Sequence, residues 1–176
     1  MDDQFGAVRT RIGKVWVGFN ERGIALVCPG GMGPEEFRSL FARVRRREAR
    51  PGRVPRQIAA GVRAAVDGKL RVPASVDLAG LTPFQQRVLR VLRTIPCGET
   101  RTYAWLARRV GNPRAARAVG NVMASNPIPF LLPCHRVVPS GGGVGNYAFG
   151  SEMKRDLLRR EAALSDARRR AGEYPR

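Results

Sequence analysis

The chain of 176 residues is 43% hydrophobic, enough to bury a core in one compact domain or two small ones, and it carries a formal net charge of +18 at pH 7. Of its 32 basic residues only Lys14, Lys69 and Lys154 are lysines, an arginine excess that points to a polyanion partner, DNA or RNA first, although an arginine-rich proteome would leave the same mark. The three cysteines (Cys28, Cys97, Cys134) are scattered and there is one histidine, which argues against a disulfide framework or a four-ligand zinc site and for a reducing, cytoplasmic setting; the acidic Met1-Asp2-Asp3 start is no signal peptide, and no apolar run is long enough to span a membrane.

In chain order, Val8 to Val27 reads as two strands and a turn. Val15, Val17 and Phe19 alternate with Trp16, Gly18 and Asn20, residues 20–23 turn, and Ile24 to Val27 return. Cys28 to Gly33 ends the strand. Phe37, Leu40, Phe41 and Val44 at helical spacing predict a helix over 34–47. A Pro/Arg/Gly linker follows over 49–55, then a helix over 58–66 and an extended stretch over 69–78. Thr82 as N-cap, Pro83 at N1 and Gln85 at N3 open a helix, whose apolar stripe is Phe84, Val88, Leu89, Leu92 and Ile95. After a turn at 96–99, Thr102 caps a second helix with Tyr103, Leu106, Ala107 and Val110 on one side. Gly111 breaks it, and Asn112 caps a third helix, with Pro113 at N1, running to about Ala124. Helix, short glycine turn, helix is the helix-turn-helix pattern.

The third helix has an unusual composition. Ala115, Ala116, Ala118 and Gly120 are small, and Arg114 and Arg117 stand on one face. Small residues let a helix backbone approach another surface closely, and two arginines make that surface a phosphate backbone or groove. The composition suits equally a small-residue face packed on a neighbouring helix, with solvated arginines. Residues 126–129, Asn-Pro-Ile-Pro, cannot be helical. A short buried run, 130–132, leads to Pro133-Cys134-His135-Arg136-Val137, then a Gly-rich loop over 140–145 and a final helix over 154–164. The fold class is therefore α/β (α+β). A small strand-containing N-terminal domain spans 1–78, a helical domain with the helix-turn-helix spans 79–164, and a polar, frayed tail spans 165–176.

Cys134 is the candidate nucleophile. A thiol attacks as thiolate and needs a base or a positive neighbour. His135 is adjacent, but neighbours on an extended segment point to opposite sides, so a bridging water or a bent backbone is required. Imidazole needs an orienting acceptor, and Glu161 on the last helix is the candidate. A cysteine beside a lone histidine is more often a buried thiol and a satisfied core imidazole. What favours chemistry here is the frame, a stiff Pro-rich run before the pair and a Gly-rich loop after it.

The stretch from Thr82 to Glu161 resembles the active-site domain of the O6-alkylguanine-DNA alkyltransferases. The matching segments are Thr82-Pro83-Phe84-Gln85, Arg117-Ala118-Val119-Gly120, Asn126-Pro127-Ile128-Pro129, Pro133-Cys134-His135-Arg136-Val137, Gly145-Asn146-Tyr147, and Lys154 to Leu158. The resemblance implies a DNA repair protein that takes an alkyl group from O6-alkylguanine onto Cys134, once per molecule and without a cofactor. His135 would act as base through a water, oriented by Glu161. Arg117 would enter the duplex where the damaged base leaves, and Tyr103 would press on the target phosphate and contact the flipped guanine. Asn126 would be the hinge between recognition helix and active-site strand. Tyr147, Val137 and the loop around Ala148 would line the pocket. Arg114, Ala118 and Gly120 would complete a helix lying in the minor groove of double-stranded DNA, bound by a monomer. Relatives with a structural zinc use cysteine and histidine ligands in the N-terminal half. That half holds Cys28 alone here, so no metal is expected.

Overall fold

The computed structural model describes residues 2–69 and 74–170. Among these, the residues within Met1–Val66, Arg71–Thr82 and Pro127–Leu131 form one compact unit, and those within Asp67–Leu70, Pro83–Asn126 and Leu132–Arg176 form another. The architecture is α+β, a sheet in the N-terminal part and helices in the C-terminal part. Among the described residues no helix is long and apolar enough to cross a membrane.

The first unit is built on a four-stranded sheet in the order β3-β2-β1-β4. Strands β1 (Gln4–Thr10), β2 (Gly13–Asn20) and β3 (Gly23–Pro29) form an antiparallel meander, and the short β4 (Arg50–Pro51) adds in parallel to β1. The sequence expectation held two strands where there are three. Strand β1 has no alternating apolar face, since Phe5 and Val8 alone are buried. Its ladder to β2 and its pairing with β4, in the stretch expected as a linker, make it a strand. Strand β2 alternates as expected, but both of its faces are covered. On one of them, Phe5 and Trp16 pack with Phe37 and Phe41 of α1 (Pro34–Arg45). Trp16 and Phe37 stack with centroids 5.7 Å apart. Gly18 allows this approach, because a Cβ there would lie 2.4 Å from the Phe41 ring. Helix α2 (Arg56–Val66) buries Val62 and Val66 and contacts β1.

One edge of this unit is held by buried charge. Arg45 reaches the carbonyls of Asp77 (3.1 Å) and Ala79 (2.7 Å), and its guanidinium lies 3.5 Å from the Asp77 carboxylate. Arg47 bridges Asp3 (3.0 Å) and Asp77 (2.9 Å), and the Asn20 amide donates to the same two carboxylates. Burial works to raise the Asp77 pKa, but the bonds from Asn20, Arg47 and the Ala79 N–H overcome it and hold the group at about 2. Val76 also bridges Ile24 in parallel, so the described end of the stretch expected as extended is extended; residues 70–73 lie outside the described ones.

The second unit contains α3 (Pro83–Leu92), α4 (Tyr103–Arg109), α5 (Ala116–Ala124) and α6 (Ser151–Arg170). Strands β5 (Arg101–Thr102) and β6 (Val137–Val138) pair in parallel. The Thr102 hydroxyl accepts from the Trp105 N–H at 3.1 Å, which caps α4 as its position predicts. Gly111 turns the chain at φ +81°, and the Asn112 N–H closes the end of α4 on the Ala107 carbonyl (3.0 Å). Helix α5 starts later than expected. Asn112 to Ala115 is a turn closed by the Ala115 N–H on the Asn112 carbonyl, so Asn112 is not its cap. Arg114 therefore sits in an exposed turn and shares no helical face with Arg117. The last helix is longer than the sequence suggested. It runs unbroken through 165, and Ser165 is buried because it meets Gly98.

Candidate active site

Cys134 does not lie on an extended segment. It opens a 3-10 turn, Cys134–Arg136, between Pro133 and β6. This is the bent backbone that the Cys-His pair requires. Two contacts fix the turn: the Cys134 N–H donates to the Leu132 carbonyl (2.8 Å), and the Arg136 N–H donates to the Pro133 carbonyl (2.9 Å). Asn126, at the end of α5, donates its amide to the Leu132 carbonyl at 2.9 Å. It thus ties α5 to the residues just ahead of Cys134, across the excursion of 127–131.

Behind the thiol lies a buried relay. His135 Nε2 is 2.7 Å from Glu161 Oε1, and both side chains are 1% exposed. Arg136 grips the same carboxylate with two bonds, Nε to Oε2 (2.9 Å) and Nη2 to Oε1 (2.8 Å), and donates Nη1 to the Ile95 carbonyl (2.6 Å). Burial would raise the Glu161 pKa, yet the bonds and charges of His135 and Arg136 hold it at about 2, fully ionised. Burial pushes the His135 pKa down, partly opposed by Glu161. The imidazole is then neutral at pH 7, and its Nε2–H donates to the carboxylate. That assigns the lone pair to Nδ1, which is buried and meets no partner among the described residues. A neutral imidazole with a free Nδ1 lone pair is a proton acceptor.

The thiol is itself buried, and burial raises its pKa; Asn126, Tyr147 and the positive charge of Lys154 oppose this. In the resting protein Cys134 is therefore a thiol. Tyr103 and Tyr147 are pushed up by burial and by nearness to Cys134, so both stay protonated as hydrogen-bond donors. The Tyr147 hydroxyl is buried within electrostatic reach of the sulfur, yet it finds no partner in hydrogen-bonding geometry among the described residues. Lys154 on α6 is buried, donates to the Val137 carbonyl (2.7 Å) and lies 6.0 Å from the Tyr147 ring centroid.

Cys134, Tyr103 and Tyr147 border a cavity of about 350 Å³, lined also by Gly120, Met123, Ala124, Asn146 and Ala148. A second hollow of about 480 Å³ shares Tyr103 and Gly120 with it and continues along α5 past Ala116, Arg117 and Asn121. Of the residues expected from sequence, Cys134, Tyr103, Gly120, Tyr147 and Ala148 meet at the first cavity. Arg117 lines the second, and Ala118 is exposed on the same helix. Val137 does not line the cavity; its side chain is fully buried in β6, and its carbonyl holds Lys154. Arg136 and Lys154 were not foreseen. Lys154 was legible in principle, because it lies seven residues before Glu161 and so shares its helix face. Arg136 gave no sign, because a surface arginine and a carboxylate clamp look alike in sequence.

The 6-O-methylguanine DNA methyltransferase, DNA binding domain family matches residues 83–163. A "Methylated-DNA--protein-cysteine methyltransferase" of Shigella flexneri is 51% identical over 85 residues, 48% of this chain and 50% of that protein. One from Methanosarcina mazei is 44% identical over 107 residues, 60% of this chain and 67% of that protein. The chain spans only 26% of the Escherichia coli "Bifunctional transcriptional activator/DNA repair enzyme Ada", at 48% identity over 96 residues, 54% of this chain. It thus covers from a quarter to about half of the Ada and Shigella relatives. Among solved structures, Mycobacterium tuberculosis OGT in complex with DNA aligns over 91% of this chain and 93% of that one, with 30% identity and a TM-score of 0.74. With the fold matched along nearly its whole length and the cysteine-bearing half matched in sequence, the chain belongs to the O6-methylguanine-DNA methyltransferase family.

Proposed function

We propose that this protein repairs DNA by transferring the alkyl group of O6-alkylguanine, irreversibly and stoichiometrically, to Cys134. The observation that carries this reading is the placement of Cys134 at a cavity of about 350 Å³, with a buried His135–Glu161 relay behind it and the small-residue helix α5 beside it. An alkyl group at O6 inside a stacked duplex is out of reach of a buried thiol. The nucleotide must rotate out, at a cost of a few kcal/mol that a poorly paired lesion lowers. Helix α5 enters the minor groove; Ala118 and Gly120 let its backbone come close, and Arg117 fills the space left in the stack. Arg114 meets the phosphate backbone from the preceding turn. Asn126, Val137, Tyr147 and Ala148 shape the pocket or hold the elements that shape it.

The chemistry balances with the chain's own groups. The thiol proton passes through a water to His135 Nδ1, and Glu161 stabilises the imidazolium. The thiolate attacks the alkyl carbon in line, a C–S bond forms and the C–O bond breaks. Guanine leaves with its electron pair. The Tyr103 phenol, hydrogen-bonded to a ring nitrogen, improves it as a leaving group. The thioether has no route back to thiol, so each molecule acts once. The protein works as a monomer in a reducing compartment, the cytoplasm, where the thiol stays free.

The test is the intact mass after incubation with an O6-methylguanine duplex. One methyl on the Cys134 peptide is expected, and none in Cys134→Ser. Tight lesion binding with no mass gain in the wild type would replace transfer with non-catalytic lesion binding.

A further inference from the structure

In the second unit Lys154 is a buried cation with no carboxylate at ion-pair distance among the described residues. Around Cys134, Glu161 is already matched, since Arg136 takes it with two bonds and His135 donates a third. Lys154 is 1% exposed. Its ammonium has one carbonyl, that of Val137, and the face of the Tyr147 ring. Among the described residues no carboxylate comes within ion-pair distance of it. A buried ammonium without a counter-charge is costly, and burial accordingly pushes its pKa down while the sulfur of Cys134 pushes it up. With Cys134 as thiol and His135 neutral, the buried site carries one surplus positive charge. Moving the thiol proton to His135 leaves the total charge of the site unchanged, but it puts an anion, the thiolate, within electrostatic reach of this ammonium.

We infer that Lys154 is a positioning residue for the reaction, the buried counter-ion of the Cys134 thiolate. It need not touch the guanine. It is held by the Val137 carbonyl, three residues beyond Cys134, and by Tyr147, which lines the cavity with Cys134. The S–H bond breaks, the proton goes to His135 Nδ1, and the sulfur keeps the electron pair opposite the ammonium. The titratable and charged groups around this pair are neutral His135 and Tyr147 beside the turn, neutral Tyr103 from α4, and the Glu161 carboxylate of α6, which Arg136 already pairs. Among the described residues around the thiol, Lys154 is the cation that no carboxylate already pairs. The inference rests on the reading of Cys134 as acceptor.

The test uses a small neutral electrophile, so that it does not depend on DNA binding. The full chain is treated with iodoacetamide over a pH series, and labelling is followed on the Cys134 peptide. Lys154→Met and Lys154→Gln should move the midpoint upward by about one pH unit, with about tenfold slower labelling at neutral pH. Lys154→Arg should stay near wild type. Glutamine keeps a donor for the Val137 carbonyl but no charge, so a wild-type profile in folded Lys154→Gln would overturn the proposal. A measurement on the wild type decides if the neutral variants do not fold. Lysine ¹⁵N resonances are few, since the chain has only three lysines. The Lys154 midpoint should fall once Cys134 is alkylated, and an unchanged midpoint would overturn the assignment. Normal labelling without methyl transfer from DNA would instead count against the repair reading.

Discussion

Substitutions can separate the tasks proposed for the residues at the site. Arg117 is exposed on α5 and remote from the relay. Arg117→Ala should slow methyl transfer from duplex DNA but largely spare reaction with free O6-alkylguanine base. Equal loss on both substrates would remove its role in holding the duplex open. Glu161→Gln is expected to act twice. It deprives the partly buried Arg136 guanidinium of its carboxylate, costing about 3 kcal/mol in urea unfolding, and it leaves the imidazolium of the transfer step without its anion. Because burial lowers the His135 pKa, the base form persists on the acid side of the ordinary histidine range. Transfer by the wild type should therefore not fall off at pH 6.5, the ordinary histidine value, in a single-turnover pH series. Cys134, His135 and Glu161 are legible in sequence through the Pro-rich and Gly-rich frame around the Cys-His pair and through the family resemblance, since the pair by itself suits a buried core as well. It could not place the 3-10 turn, since Pro133 and Val137 suit an extended chain as well as a bend.

At the scale of elements, helix α5 is tuned for approach rather than for stability. A Cβ at Gly120 would meet nothing within 4 Å, yet a glycine inside a helix costs roughly 0.5–1 kcal/mol relative to alanine. Gly120→Ala should therefore raise the thermal midpoint. Gly120→Leu should reach into the cavity that Gly120 borders and abolish transfer from duplex DNA. A thermal scan and the mass assay on the same samples separate the two effects. Helix positions were readable where caps and periodicity agreed, as at Thr102. The start of α5 is ambiguous in sequence, because Asn-Pro opens both helices and turns; the Ala115 N–H on the Asn112 carbonyl makes it a turn. Strand β1 was overlooked because its strand character comes from its partners on both sides.

For the whole molecule, charge is the dominant variable. With a net charge of +18, DNA affinity should fall steeply with salt as neutralised phosphates release their counterions. About six phosphate contacts would give a loss of about 10³-fold between about 50 and 200 mM salt. A flat titration would mean that the arginines serve something other than the phosphate backbone. Acid stability follows from the buried carboxylates. Asp77 and Glu161 are each held at about 2, below their ordinary values of 3.8 and 4.5. A depressed pKa contributes stability above the unfolded value and loses it as pH falls through the folded one. Each group should contribute of order 2 kcal/mol near neutrality, lost between about pH 4 and 2. Asp77→Asn should flatten the acid limb of a denaturant-midpoint series while lowering stability at pH 7.

The loop at 140–143, exposed throughout and with open space around Gly141, Gly142 and Gly143, divides the site in the chain. Cys134 and His135 lie before it; Lys154 and Glu161 lie after it on α6. A break there would leave each fragment half a site, one carrying the sulfur with His135 and Arg136 but without Glu161 and Lys154, the other a charged helix without a sulfur. Self-labelling would then report reassembly of the two pieces, turning the site into a proximity sensor whose signal is one permanent covalent mark.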